Sequence, residues 1–305
     1  MSVASPKGDA FSCAFGGMQI SDRLHAKPKI FGQVRPFYGI LPAMKNCLFT
    51  LVAACLACAG CFDNHNRPAD VFTVTSLDAL ANTNRAEIVR LFLRGAARPV
   101  TDADLEGLSD SVLQQLDLSE LNLEKVPGKV WGLKGLTSLW LVRNKLAAIP
   151  DEVAQLPALT YLNLDGNQIT AVPDSLSGAT KLRWLRLNEN KLRELPPSLS
   201  ALKDLRRVYL RKNLLTSVPE VVKEWSELED LALDDNAITS VPDWLGTALP
   251  KLKSLSLKGC PISRMPDDLS GLRGLTTLSL ANCPLPSEEV VRVRKALGDN
   301  VVILF

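Results

Sequence analysis

The sequence predicts an α/β repeat solenoid, a stack of like units that each supply one short strand and one outer segment. Three observations predict it. Leucines recur in steps of 23 residues at Leu113, Leu136, Leu159, Leu182, Leu205, Leu228, Leu252 and Leu275, with one step of 24 where Gly246-Thr247 lengthens a loop. Inside each unit two apolar residues alternate with a variable one, as in Leu162-Asn163-Leu164, so both face one side of a strand. One unit cannot bury that side alone, whereas stacked neighbours bury it together. Finally, the segments before and after the repeats read as covers for the two open ends of such a stack.

Each unit follows the pattern L-x-x-L-x-L-x-x-N-x-L-x-x-V-P, and eight copies occupy 113–286. Asn144, Asn167, Asn190, Asn213 and Asn236 take the ninth position. An amide there can both donate to and accept from loop backbone leaving the strand. Peptide groups buried without such a partner would each cost about 1–3 kcal/mol. Pro127, Pro150, Pro173, Pro196, Pro219, Pro242 and Pro266 end the inner segments and turn the chain outward. Proline fixes φ there and removes a donor that no ladder needs. Trp225 and Trp244 fall in outer segments and read as core filler. This pattern resembles the leucine-rich repeat family. The resemblance implies a curved horseshoe with parallel strands lining its concave face.

The ends are read as follows. In 76–112, expected to be a helical N-terminal cap, Asn84 and Glu87 form a capping box ahead of Ile88, Leu91 and Phe92 on one helical face. Thr101 and Asp104 repeat the device. In 287–305, Ser287 is expected to cap a helix that Gly298 stops, and Val301 to Phe305 read as a last strand.

Composition removes several function classes. Lys plus Arg is 35 against 33 for Asp plus Glu, so overall charge steers the chain neither to nucleic acid nor to a membrane. His25 and His65 lie outside the repeats, and no Cys/His cluster has metal-ligand spacing. No phosphate loop or nucleophile elbow is present. No catalytic residue, cofactor or metal is therefore expected. Cys260 and Cys283 take the asparagine position in adjacent repeats. Their spacing permits a disulfide. The repeat pattern, in which cysteine substitutes for that asparagine, implies reduced thiols facing loop backbone.

Before the repeats, 1–43 fits no signal pattern and is read as an over-long start or a disordered leader. Met44 and Lys45 open a positive start, and an apolar run of 14 residues follows from Cys47 to Gly60. A spanning helix needs about 20 apolar residues, so this run suits a signal-peptide core at 44–60. Ala59-Gly60-Cys61 resembles the lipobox of bacterial lipoproteins, although Cys58 stands where that pattern has leucine. The resemblance implies a lipid on Cys61. Phe62 directly after it implies outer-membrane sorting. An ordinary secretory signal and a buried apolar helix are the alternatives. The polar stretch 61–75 is expected to act as a tether.

Function is written in the positions that vary. Third, fifth and seventh positions of each unit point to the concave side, because strand side chains alternate. Trp140, Tyr161, Trp184 and Tyr209 fall there on four successive strands, a band about 15 Å wide at the usual strand spacing. Arg186, Arg207 and Arg211 flank it, with Arg183 and Arg206 at second positions, and Asp230 and Asp234 follow on the next unit. Aromatics and arginine are the types enriched at binding hot spots. The expected function is a monomeric, non-enzymatic module binding a protein or peptide on this face, displayed on a bacterial envelope. The alternatives are a secreted effector acting in a host cell, and a carbohydrate binder using Trp140, Tyr161 and Trp184 with Asn163 and Asp165.

Overall fold

A computed structural model describes residues 72–305. The expected signal segment 44–60, Cys61 and nearly all of the tether lie outside those residues. The described chain forms one parallel sheet of eleven strands in sequence order. Strands β3 to β10 are the eight repeats: Gln115–Asp117, Ser138–Trp140, Tyr161–Asn163, Trp184–Arg186, Arg207–Tyr209, Asp230–Ala232, Ser254–Ser256 and Thr277–Ser279. Like positions pair throughout, as in Leu162 with Leu185, and the extra residue is absorbed where Asp230 pairs with Ser254.

The core follows from the alternation. Fourth-position residues such as Leu162, Leu185 and Val208 are buried, as are sixth-position residues such as Leu164, Leu187 and Leu210. From the outer side the first-position leucines and Leu176, Leu199 and Trp225 complete one continuous cluster. Trp225 is fully buried with its indole N–H on Leu199 O, whereas Trp244 is only partly buried and donates to Glu220. Outer segments are single stretches of 3-10 helix, for example Asp174–Gly178 and Pro197–Ala201. Pro127, Pro150, Pro173, Pro196, Pro219 and Pro242 each precede one. Pro266 does not: the segment of its repeat, Ser270–Gly274, starts after Leu269. Gly246 and Gly271 let two neighbouring outer segments touch, since a Cβ on either would fall 2.0 Å from a backbone oxygen of the other segment.

The asparagines hold the exits from the strands. Asn190 donates to Leu164 O and Leu187 O at 3.0 and 3.1 Å and accepts from Ile169 N at 3.0 Å. Asn144, Asn167, Asn213 and Asn236 make the equivalent set. Each amide thus bonds both its own repeat and the one before. Cys260 and Cys283 are unbonded thiols at the same position, donating to Leu233 O and Leu257 O. Burial pushes the Cys260 thiol up to about 11. The residue before each of these ninth positions has positive φ in all eight repeats: Glu120, Arg143, Gly166, Glu189, Lys212, Asp235, Gly259 and Asn282. Six of the eight are not glycine, and the left-handed conformation costs such residues roughly 1–2 kcal/mol each.

The N-terminal region departs from a helical cap. A short helix, α1 (Leu77–Ala81), is capped by Ser76, and Asn84 caps one 3-10 turn at Arg85–Glu87. The chain then extends instead of continuing as helix. Arg90–Phe92 is strand β2, paired with β1 (Thr73–Val74) and with β3. Ile88, Leu91 and Leu93 take the first, fourth and sixth repeat positions, with Gly95 supplying the positive φ. Ile88, Leu91 and Phe92 fit one helical face, while Leu91 and Leu93 fit one side of a strand. The strand wins because it completes hydrogen-bond ladders on both sides, while a helix of that length is marginal by itself. Thr101 and Asp104 do box a 3-10 turn, with Thr101 N on the Asp104 carboxylate at 2.8 Å.

At the other end, helix α2 (Ser287–Leu297) begins after Pro286, so Ser287 is its first residue and not its cap. Gly298 at φ 78° ends it, Val293 and Leu297 join the core, and strand β11 (Val302–Leu304) pairs with β10.

Replacing Asn190 with Ala is expected to cost about 2–4 kcal/mol, because two carbonyls and one amide lose their buried partner together. Denaturant unfolding of the two proteins measures it.

Candidate functional site

The strand face carries a continuous row of rings in contact, tilted to one another. Trp140 and Tyr161 lie 5.1 Å apart between centroids, and Tyr161 and Trp184 5.4 Å. The Arg207 guanidinium continues the stack, 4.4 Å from the Trp184 ring. Parallel register produces this: Tyr161, Trp184 and Arg207 are paired residues on β5, β6 and β7. Phe92 extends the stack at the other end, edge-on to Trp140 at 6.2 Å. The sequence reading placed Phe92 on a helix; the Leu91-x-Leu93 alternation is the signal that would have brought it to this face.

A second row runs beside the first. Arg186 sits 5.1 Å over the Tyr209 ring and binds Asp165 at 2.7 Å. Tyr209 donates its hydroxyl to Asp230 at 2.7 Å. Burial, then that carboxylate, hold the phenol above its ordinary value. Arg211 lies 3.3 Å from Asp234, which also accepts from Ser256. The change of sign expected between repeats is therefore a set of internal pairs, and much of the charge on this face is matched within it.

Burial sorts the expected contact residues. Trp140, Trp184, Arg186, Arg207, Tyr209 and Asp230 are half-buried, and Arg211 is exposed. Tyr161 and Asp234 are only 8% and 5% exposed. Tyr161 is covered by the tryptophans on either side and Asp234 by its two partners, so both support neighbours and offer little area of their own. Asn163 is buried too, its amide spent on the Tyr161 hydroxyl and on Asp165 N.

Three seventh-position side chains bond the backbone of the next repeat. Ser119, Asp165 and Asn188 each accept from the backbone N–H of the residue 23 positions on, at 3.1, 2.8 and 2.9 Å. They continue the strand pairing one step beyond the strands. Asp117 lies low on the face, where burial raises its carboxyl above the usual range against hydrogen bonds from Ser119. Among the described residues no three His, Cys, Asp or Glu side chains group as a metal site. No described helix is long and apolar enough to cross a membrane.

The leucine-rich repeat family model matches 134–192 and 226–285. No curated protein sequence matches significantly. Among solved structures, an internalin from Listeria monocytogenes superposes with a TM-score of 0.60 at 23% identity, over 75% of this chain and 64% of its own. The plant peptide hormone receptor RGFR1 in complex with RGF2 gives 0.56 at 20% identity, over 76% of this chain and 38% of its own. The chain thus spans less than two thirds of either neighbour. At such identities they carry the fold alone, and with the family match they make this chain a leucine-rich repeat protein.

Asp117→Asn is expected to raise stability at neutral pH. A carboxyl whose folded pKa is raised is penalised while charged, and it loses that penalty as pH falls through the folded value. The gain should therefore shrink below the ordinary carboxylate range. Denaturant melts at pH 7 and pH 3 measure both.

Proposed function

We propose that the protein is a non-enzymatic module that binds a protein or peptide on its strand-lined concave face. One observation carries this reading. Large rings and guanidinium groups are concentrated on β2 and β4 to β7, whereas β9 and β10 present only serine and threonine there. The core needs none of these large side chains, since the fourth and sixth positions fill it. Stacking holds the rings in fixed positions, and side chains ordered in advance lose less entropy when a partner binds. The receptor solved with RGF2 is a precedent on this fold, at the level of analogy. Against sugar binding, Asn163 and Asp165 already spend their polar atoms inside the protein.

The display proposal rests on sequence alone: a lipid on Cys61 after cleavage behind Gly60, and a place on a bacterial envelope, in the outer membrane. Cys61→Ala should then leave the protein without lipid and out of the membrane fraction, as mass spectrometry and fractionation would show. An unchanged membrane fraction removes the proposal.

For binding, Trp184→Ala should weaken affinity by about 2 kcal/mol, roughly thirty-fold, toward a partner recovered by pull-down. Its thermal melt should stay near wild type. Leu185→Ala, one residue on, should instead cost about 2–5 kcal/mol of stability, because that side chain is in the core. If Trp184→Ala binds normally while outer-face changes abolish binding, the concave reading fails.

A further inference from the structure

The two cation–ring stacks between β6 and β7 are alike in form and different in what they leave over. In one, Arg186 lies over Tyr209 and its guanidinium is engaged by Asp165 through Nε at 2.8 Å and Nη2 at 2.7 Å. In the other, Arg207 lies over Trp184, and among the described residues no carboxylate comes within ion-pair distance of it. The same holds for Arg183 and Arg206, which precede Trp184 and Arg207 in the chain and are exposed. Nearby acids are engaged elsewhere: Asp230 by Tyr209, Glu229 by Lys253, and Glu227, whose charge Arg206 feels, by Lys251. Three arginines at the starts of two adjacent strands therefore lie where the row of rings ends, none of them in an ion pair with a described carboxylate, although Asp230 is the register partner of Arg207.

Resting on the concave-face reading, we propose that Arg207, with Arg183 and Arg206, is the seat for a carboxylate side chain of an acidic peptide segment. The Trp184 ring holds the Arg207 guanidinium 4.4 Å from its centroid, and a guanidinium can offer two parallel N–H···O bonds, the geometry a carboxylate accepts. The ring stack beside it receives the apolar or aromatic side chains next to that acid. Charge complementarity selects the partner: an acidic segment matches the excess cations, and a basic one meets like charge.

The test uses the full chain and three synthetic dodecapeptides in which tyrosine alternates with glutamate, glutamine or lysine. The glutamate peptide should bind at least about tenfold tighter than the glutamine peptide, and the lysine peptide should not bind. Arg207→Gln should erase that preference while keeping the wild-type melt. Arg207→Lys should restore only part of it, because a lysine cannot make the paired bonds. The preference should fall as salt rises. Equal binding of glutamate and glutamine peptides, both lost in Trp184→Ala, overturns the carboxylate seat and leaves the concave-face reading standing. No binding of the glutamate peptide, or a heparin fragment outcompeting it at equal charge, overturns the proposal as well. The pull-down comparison with outer-face variants decides the concave reading separately.

Discussion

Every described strand is three residues long or shorter, and those of the repeats are left by a backbone that is still buried. Carbonyl and amide groups at that exit have no strand partner. Without replacement bonds each would cost about 1–3 kcal/mol, and the loss would recur in every unit. The ninth-position amide removes it. Asn167, Asn190, Asn213 and Asn236 each donate to a carbonyl of their own repeat and to one of the repeat before. The same bonds that satisfy the exit also tie neighbouring units at a fixed step. A positive φ just before each asparagine is the strain accepted for it.

That fixed step makes the ring-lined face possible. Because neighbours pair in strict register, a side chain repeated at one position in successive units stands directly beside its counterpart. At a strand spacing of about 4.8 Å, two planar groups then meet at stacking distance with no loop to hold them. Tyr161, Trp184 and Arg207 stack because their backbones do. The last two thiols show how the scaffold ends: Cys260 and Cys283 donate to one carbonyl each where asparagine donates to two or more. The ladder therefore grows weaker toward the C-terminal repeats, where α2 and the pair Glu289–Arg292 take over through Met265.

What could be read from the residues, and what could not, follows the same physics. The inward leucines recur in eight units at a near-constant 23-residue step and the asparagine in five of them, so each copy reinforces the others. The ring positions followed from alternation alone. Ile88, Leu91 and Phe92 fit a helical face, and the strand is concealed because this one imperfect unit, starting 25 residues ahead of Leu113, has no copy at the regular step and lacks the asparagine. The pairings on the face were also hidden. Arg186 with Asp165 and Arg211 with Asp234 join residues 21 and 23 apart, and the repeat pattern specifies which positions are adjacent but not which side chains turn toward each other. Burial of Tyr161 was hidden for the same reason: a third-position residue is exposed or covered according to the size of its neighbours.

Scaffold and face are consequently less separable than the division into locked and varying positions implies. Asp165 is a varying position, yet one oxygen accepts the Asn188 N–H and the other holds Arg186. Asn188 in turn accepts from Arg211 N. A change at either would loosen the pairing of β5, β6 and β7 beyond their strands, and one at Asp165 would release Arg186 at the same time. The third-position row meets side chain to side chain. Trp184 and Arg207 fasten to one another through a stack worth about 1 kcal/mol, and the strands beneath them pair without it. On this fold, then, the third-position row is where a new partner can be accommodated at least cost to stability, and the seventh-position row is where such a change would be felt by the whole sheet.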